Sequence, residues 1–349
     1  MGTQSLAVKY RPNGWDSVVE QGSIKTILEQ QIRSGNIQHS YLFCGSAGTG
    51  KTTTARIFAN EINKGNGTPI EIDAASNNSV NDVRNIIQQS RLSTIDGSKY
   101  RTYIIDECHM ITPQGWNAML KLLEEPPTSA VFLFCTTDPQ KIPKTILSRV
   151  QRYDFQRISQ EGIVNRLNTI MMSEIKENYL QYYSFQENAL EYIAKLSEGG
   201  MRDAITLLDK CLAYSHELTV ENVVHAIGTV DYDVMLKLTD SLVFGKCADM
   251  LAIIENLHGQ GKDLKLFIKN YTTFVLDLCK YNVMKSLDYT QIPNYFLEML
   301  TDRMKNEEGY YLECNELLQE LLRLNTDIKW DSNPKAMIEA NLYGFCIGG

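Results

Sequence analysis

Short apolar runs alternate with amphipathic stretches over the first 157 residues. The runs at 40–44, 69–73, 101–106 and 130–136 are bounded by polar or glycine-rich segments, the pattern of strands covered on both faces. Between them, 22–34, 50–63, 79–91 and 113–124 carry helical periodicity. The clearest is 113–124: Thr112 suits an N-cap, Pro113 suits the first helical position, and Trp116, Met119, Leu120 and Leu123 fall on one face. Glu125-Pro126-Pro127 stops it. Strand–helix alternation predicts a parallel sheet flanked by helices.

After about residue 157 the strand signal ends. Segments 159–175, 186–197, 201–213 and 219–227 read as short helices. Within 263–285, Leu264, Phe267, Ile268, Tyr271, Val275, Leu278 and Cys279 form a helical stripe, and 290–305, 310–325 and 333–346 are further helical candidates. The division this predicts is an α/β domain over 1–157, a small helical domain over 158–230 and an all-α domain over 231–349.

Charge divides the same way. Residues 1–157 hold 17 Lys and Arg against 14 Asp and Glu; the remainder hold 17 against 28, for a net charge of −8 overall. An acidic chain is not drawn in bulk to nucleic acid, so any such contact is expected from a local surface of the first part. No apolar run is long enough for a membrane span, and Met1–Ser5 lacks the layout of a signal peptide. Eight cysteines are scattered without a C-x-x-C pair, as expected for free thiols in a reducing cytoplasm.

Directly after the first apolar run stands Gly45-Ser46-Ala47-Gly48-Thr49-Gly50-Lys51-Thr52, which matches the phosphate-binding loop G-x-x-x-x-G-K-[ST] at each fixed position. Glycines let backbone N–H groups turn toward a phosphate, and the helix that follows adds its positive end. Lys51 can reach the β and γ phosphates of a nucleotide, and the Thr52 hydroxyl, with Thr53 beside it, can approach Mg²⁺. The run Tyr103-Ile104-Ile105 ends in Asp106-Glu107. Beside such a loop, Asp106 suits a metal-holding acid and Glu107 a base that polarises water. Strand alternation is expected to point the two carboxylates apart.

The loop and Asp-Glu pair, followed by Thr136-Thr137-Asp138-Pro139, Ser148-Arg149 and Gly199-Gly200-Met201-Arg202-Asp203-Ala204, resemble the AAA+ ATPase series. The wording of Glu71-Ile72-Asp73-Ala74-Ala75-Ser76, Leu120–Pro127 and Thr136–Pro143 is narrower. It resembles the gamma/tau subunits of bacterial DNA polymerase III, the ATPases of the sliding-clamp loader. Tyr10-Arg11-Pro12 and Val18-Val19-Glu20-Gln21 resemble that family's segment on the adenine side, and the likeness is dense from about residue 6 to 230. The resemblance implies an AAA+ P-loop domain, a helical lid and a helical collar that oligomerises. It implies ATP and Mg²⁺ as ligands. Thr137 would be sensor 1, Arg149 an arginine finger acting on a neighbour's ATP, and Arg202 a sensor 2 contacting its own. Partners would be other loader subunits in a homo- or hetero-oligomeric ring, a sliding clamp and primer–template DNA, in the cytoplasm of a bacterium or encoded by a phage.

Three positions depart from the family. The four cysteines of its zinc module are missing between the loop helix and the Glu-Ile-Asp strand, where only Asn63–Pro69 stands, so no zinc is expected. Ser-Arg-Cys is Ser148-Arg149-Val150, and Glu20 replaces the glycine before Gln21. By this resemblance the sequence is expected to run to the collar as a short form, without the basic or proline-rich extension of tau forms. DNA contact is expected at the start of the 79–91 helix, through Ser76, Asn77, Asn78 and Arg84, with a plain capped surface helix as the other reading. Two functional alternatives stay open: a non-hydrolysing structural subunit of the same ring, and another AAA+ DNA motor such as a branch-migration helicase.

Overall fold

The computed structural model describes residues 4–348 except 93, 95, 96, 178–183, 228–231, 288, 294, 295, 297–299 and 301–309. The chain forms two compact units, Met1–Tyr183 with Ile193–Ala213, and Ser184–Tyr192 with Tyr214–Gly349.

The first unit opens with α1 (Leu6–Lys9) and α2 (Gly22–Ser34). It continues through β1 (Ser40–Cys44), α3 (Lys51–Ile62), β2 (Ile70–Asp73), α4 (Val80–Ser90), β3 (Arg101–Asp106), α5 (Pro113–Glu124) and β4 (Ala130–Thr136). Then come α6 (Lys144–Leu147), β5 (Gln151–Asp154) and α7 (Gln160–Glu177). Helix α8 (Glu187–Leu196) divides between the units, and α9 (Met201–Tyr214) closes the first unit apart from its last residue.

The five strands form one parallel sheet in the order β2-β3-β4-β1-β5. Alternate residues of β1 go to opposite sides. Leu42 and Cys44 join Val83, Trp116 and Phe134 in one core, while Tyr41 and Phe43 join Phe58, Leu133 and Tyr153 in the other. Both faces are therefore apolar, which is why these strands read as continuous hydrophobic runs.

Strand β5 gave no sequence signal. In Gln151-Arg152-Tyr153-Asp154 only Tyr153 is buried, because the strand lies at the sheet edge and pairs with β1 alone. Helix α5 buries Trp116, Met119 and Leu123 as its periodicity predicts, but Leu122 is buried where Leu120 is only half-covered. A Cβ on Gly115 would meet Ile111 Cγ2 at 2.8 Å and Val83 Cγ2 at 3.2 Å, so the missing side chain lets α4 and α5 pack closely.

In the second unit, β6 (Ser184–Phe185) and β7 (Glu217–Leu218) pair as a two-stranded parallel ribbon too short to read from sequence. The other described elements of this unit are mainly helices: α10 (Val220–Ile227), α11 (Tyr232–Val243), α12 (Cys247–Gly259), α13 (Leu264–Met284), α14 (Tyr310–Asp327) and α15 (Pro334–Gly348). Along α13, Leu264, Phe267, Ile268, Tyr271, Val275 and Leu278 are buried and Cys279 is half-buried. Most of the helix expected at 290–305 lies outside the described residues. All eight cysteines are free thiols, six of them buried. No helix among the described residues is long and apolar enough to cross a membrane.

Candidate functional site

Parallel register aligns the carboxyl ends of three central strands. Cys44 of β1 sits opposite Thr136 of β4, and Ile105 of β3 sits opposite Phe134 of β4. The residues leaving those strands, Gly45, Thr137 and Asp106-Glu107, therefore share one edge of the sheet, where open α/β folds hold their ligands.

The loop 45–50 is shaped by close neighbours. Gly45 has φ +149, and a Cβ there would meet the Phe155 carbonyl oxygen at 2.6 Å. Gly48 has φ +72, and a Cβ there would meet Gly200 Cα at 2.9 Å. The Met201 N–H donates to the Gly48 carbonyl at 3.0 Å, tying the loop to the start of α9. Ser46 O accepts from the Thr49 hydroxyl at 2.9 Å. Gly48→Ala is expected to weaken nucleotide binding at least tenfold, about 1.4 kcal/mol. It combines a left-handed backbone with a clash against another backbone. A fluorescent-nucleotide titration giving affinity within twofold of wild type would show that the loop has room to move.

Lys51 begins α3 and is 6% exposed. Its Nζ donates to the carbonyls of Gly45 (2.9 Å) and Ser46 (2.8 Å). Burial lowers its pKa, against the pull of Cys135, Glu107 and Asp106 nearby. The Thr52 hydroxyl donates to Asp106 Oδ2 at 2.9 Å. A hydroxyl and a carboxylate side by side are hard oxygen donors, the type Mg²⁺ takes. Around Gly50 a Cβ would meet nothing within 4 Å, leaving open space in front of the loop. A buried ammonium, paired oxygens and an open cradle fit a nucleotide phosphate with its metal. Among the described residues no group of three His, Cys, Asp or Glu side chains could hold a metal ion by itself.

Glu107 lies past the end of β3 in a left-handed conformation, φ 45° and ψ 43°. The divergence of the two carboxylates comes from this turn rather than from strand alternation, since only Asp106 belongs to the strand. Asp106 Oδ1 accepts from the Glu107 N–H at 3.0 Å. The Thr137 hydroxyl donates to Glu107 Oε2 at 3.0 Å. His109 Nδ1 stands 3.2 Å from the same oxygen, a contact the sequence reading did not foresee.

The pocket in front of the loop is walled by Tyr10, Arg11, Pro12, Val18, Val19, Thr49–Thr53 and Arg202. Among the described residues the Arg202 guanidinium forms no ion pair. Arg166 of α7 also lines the pocket, donating to the Tyr10 carbonyl at 2.9 Å, with its pKa lowered by burial. One arginine among the polar positions of a helix gives no sequence signal of facing inward. Glu20 and Gln21 have φ 56° and 54°. The Glu20 side chain is used: it accepts from the Ser159 N–H at 3.2 Å and from its hydroxyl. Those bonds tie the segment after Val19 to the entry of α7 and offset a left-handed backbone that costs a non-glycine residue about 1 kcal/mol.

Two groups of predicted residues lie elsewhere. Arg149 does not line this pocket; its guanidinium bonds Glu124 Oε1 (3.1 and 2.6 Å) and the Thr145 carbonyl (2.6 Å). At the start of α4, Ser76 Oγ and Asn77 Nδ2 both donate to the Asp73 carbonyl, and the Asn78 carbonyl accepts from the Thr112 N–H at 3.2 Å. Ser79 and Asp82 form a reciprocal capping box, and Arg84 is exposed. The capping box thus satisfies leading N–H groups of the helix.

This sheet order, loop and strand-end Asp-Glu define an AAA+ P-loop ATPase fold. Solved structures of Thermotoga maritima RuvB share it: the Holliday junction branch migration motor aligns at TM-score 0.51 and 20% identity, covering 67% of this chain and 79% of that one. The chain belongs to the gamma/tau family of DNA polymerase III subunits. Residues 66–159 match the family model described as DNA polymerase III, delta subunit, and 163–217 that of the DNA polymerase III clamp loader subunit, ATPase lid domain. DNA polymerase III subunit tau of Bacillus subtilis is 34% identical, covering 99% of this chain and 64% of that one. Tau of Escherichia coli is 34% identical over 75% of this chain and 43% of that one. The gamma subunit of Buchnera aphidicola is 28% identical over 98% of both. The chain thus spans less than two thirds of the two tau relatives.

Proposed function

We propose that this chain is the ATP-hydrolysing motor subunit of a clamp loader, which opens a DNA sliding clamp and loads it onto primed template during replication. One observation carries the reading: Lys51, the Thr52–Asp106 pair and the Thr137–Glu107 pair meet at one sheet edge. Lys51 would exchange its two carbonyl partners for β and γ phosphate oxygens. Thr52 and Asp106 would hold Mg²⁺, which supplies charge neutralisation on the phosphate oxygens. Glu107 would take a proton from the attacking water. Tyr10–Pro12 and Val18–Val19 would wall the base, and Arg202 would contact phosphate from α9. In solution ATP would favour a clamp-competent ring because it binds that state better, and hydrolysis would release the clamp.

The same reading divides the chain into an ATPase domain (1–157), a lid (158–230) and an oligomerising collar (231–349). Other loader subunits, the clamp and primer–template DNA would be its partners in a bacterial cytoplasm. It involves no zinc. A structural, non-hydrolysing subunit would lack the lysine or the acids, and this chain retains Lys51, Asp106 and Glu107, with Thr52 beside the lysine. The RuvB likeness concerns fold alone, whereas 34% identity is to tau; strand displacement without clamp loading would revive the motor alternative.

Lys51→Ala is the direct test. Removing the ammonium is expected to weaken ATP binding well over tenfold, more than about 1.4 kcal/mol. ATP hydrolysis stimulated by clamp and primed DNA should vanish with it. Affinity within twofold of wild type in an equilibrium titration would sink the phosphate-loop assignment.

A further inference from the structure

Glu107 can act as a base only if one of its oxygens is aimed and the other is not competing for the same proton. Its Oε2 is crowded: the Thr137 hydroxyl donates to it at 3.0 Å and His109 Nδ1 lies 3.2 Å away. His109 is itself held. Its Nδ1 is 3.1 Å from Thr136 Oγ1, which also accepts from the Asp138 N–H at 3.0 Å, and its side chain is only 11% exposed. The turn that carries it is closed by Met110 N–H to Glu107 O (2.9 Å) and Ile111 N–H to Cys108 O (3.1 Å), with Cys108 fully buried in the core beneath it. An ionised carboxylate has no hydrogen to give, so the nitrogen facing it carries the proton. Nδ1 makes its hydrogen bond to Thr136 Oγ1, and its proton lies beside Oε2 as a close electrostatic contact.

We propose that His109 is a positioning residue for Glu107: its imidazole, anchored on Thr136 Oγ1 and set beside Oε2, and the Thr137 hydroxyl together hold Oε2 so that Oε1 is the oxygen that accepts the proton from water. This rests on Glu107 being the general base. The water oxygen bonds the γ-phosphorus as the bond to the β-phosphate oxygen breaks, and the released proton goes to Oε1. One donor and the anchored imidazole edge beside the same oxygen draw charge toward it and hold the carboxylate plane. The left-handed backbone at Glu107 leaves its side chain 38% exposed and otherwise free to swing. Tethering from the end of β4 matters for that reason: both Thr136 and Thr137 leave the strand next to the loop's own strand, so the base is indexed to the phosphate site.

The test uses the full chain assembled with clamp and primed DNA, reading single-turnover hydrolysis and ATP affinity separately. His109→Ala is expected to slow hydrolysis about 10- to 100-fold, the cost of a misplaced reacting group, with ATP affinity within twofold. His109→Asn keeps an N–H near the Nδ1 position and should recover most of the rate. His109→Gln sets its N–H nearer Nε2 and should stay slow. That Asn-versus-Gln contrast holds even if the alanine variant fails to fold. In a Glu107→Gln background His109→Ala should cost less than about twofold, because the group it positions is already disabled. Asn as slow as Gln, ATP affinity falling in step with rate, or an undiminished loss in the Glu107→Gln background would each overturn the proposal. Near-normal hydrolysis by Glu107→Gln alone would instead remove the base itself, and His109's role with it, while leaving the phosphate loop untouched.

Discussion

Arg149→Ala chains are expected to bind ATP as wild type does yet fail to support hydrolysis in the neighbouring subunit, with a loss on the order of 10³-fold. The guanidinium is absent from the wall of its own chain's pocket and is instead paired with Glu124 at the end of α5. A half-exposed pair of this kind contributes at most about 1 kcal/mol, so it can release the arginine to a phosphate on a partner without large cost. Mixing provides the decisive measurement. Arg149→Ala chains keep the pocket and Lys51→Ala chains keep the finger, so interfaces of the right orientation should regain activity. If the mixture stays as inactive as either variant, despite demonstrated co-assembly, Arg149 does not act across the interface.

Glu107→Gln is expected to keep ATP binding and lose hydrolysis by about 10² to 10⁴-fold, the range for a general base. The amide is nearly isosteric but cannot take the proton. Its oxygen can still accept from Thr137 and its backbone N–H can still meet Asp106, so the loop and the metal pair are expected to stay in place. Clamp binding should persist or lengthen, because ATP remains bound. Turnover near wild type, measured as phosphate release with clamp and primed DNA, would show that Glu107 is not the base.

Much of the first unit could be read from the chain alone. Buried strands such as β3 and β4 announce themselves because both faces are covered, and α5 carries its own start and stop in Thr112-Pro113 and Glu125-Pro126-Pro127. β5 could not be read because an edge strand with one buried residue is polar on average. The residues expected at DNA make local contacts that a sequence pattern does not show. Ser76 and Asn77 are polar and exposed, their side chains donate to the Asp73 carbonyl, and Ser79 with Asp82 caps the helix. A polar cluster before a helix reads the same whether it binds a phosphate or its own backbone.

The loop 45–52 and Asp106-Glu107 needed no fold to be recognised, since spacing along one short segment carries their chemistry. The sequence determined the strand–helix alternation, the parallel sheet it requires and the residue types available at the strand ends. Tertiary structure alone decided the strand order. β4 lies between β3 and β1, so three segments far apart in sequence end side by side, and that order brings Thr137 to Glu107 next to the loop that follows β1. The reason is physical: periodicity records which face of an element is buried, but not which neighbour buries it. Register and crossover are set only when all the apolar faces compete for partners at once.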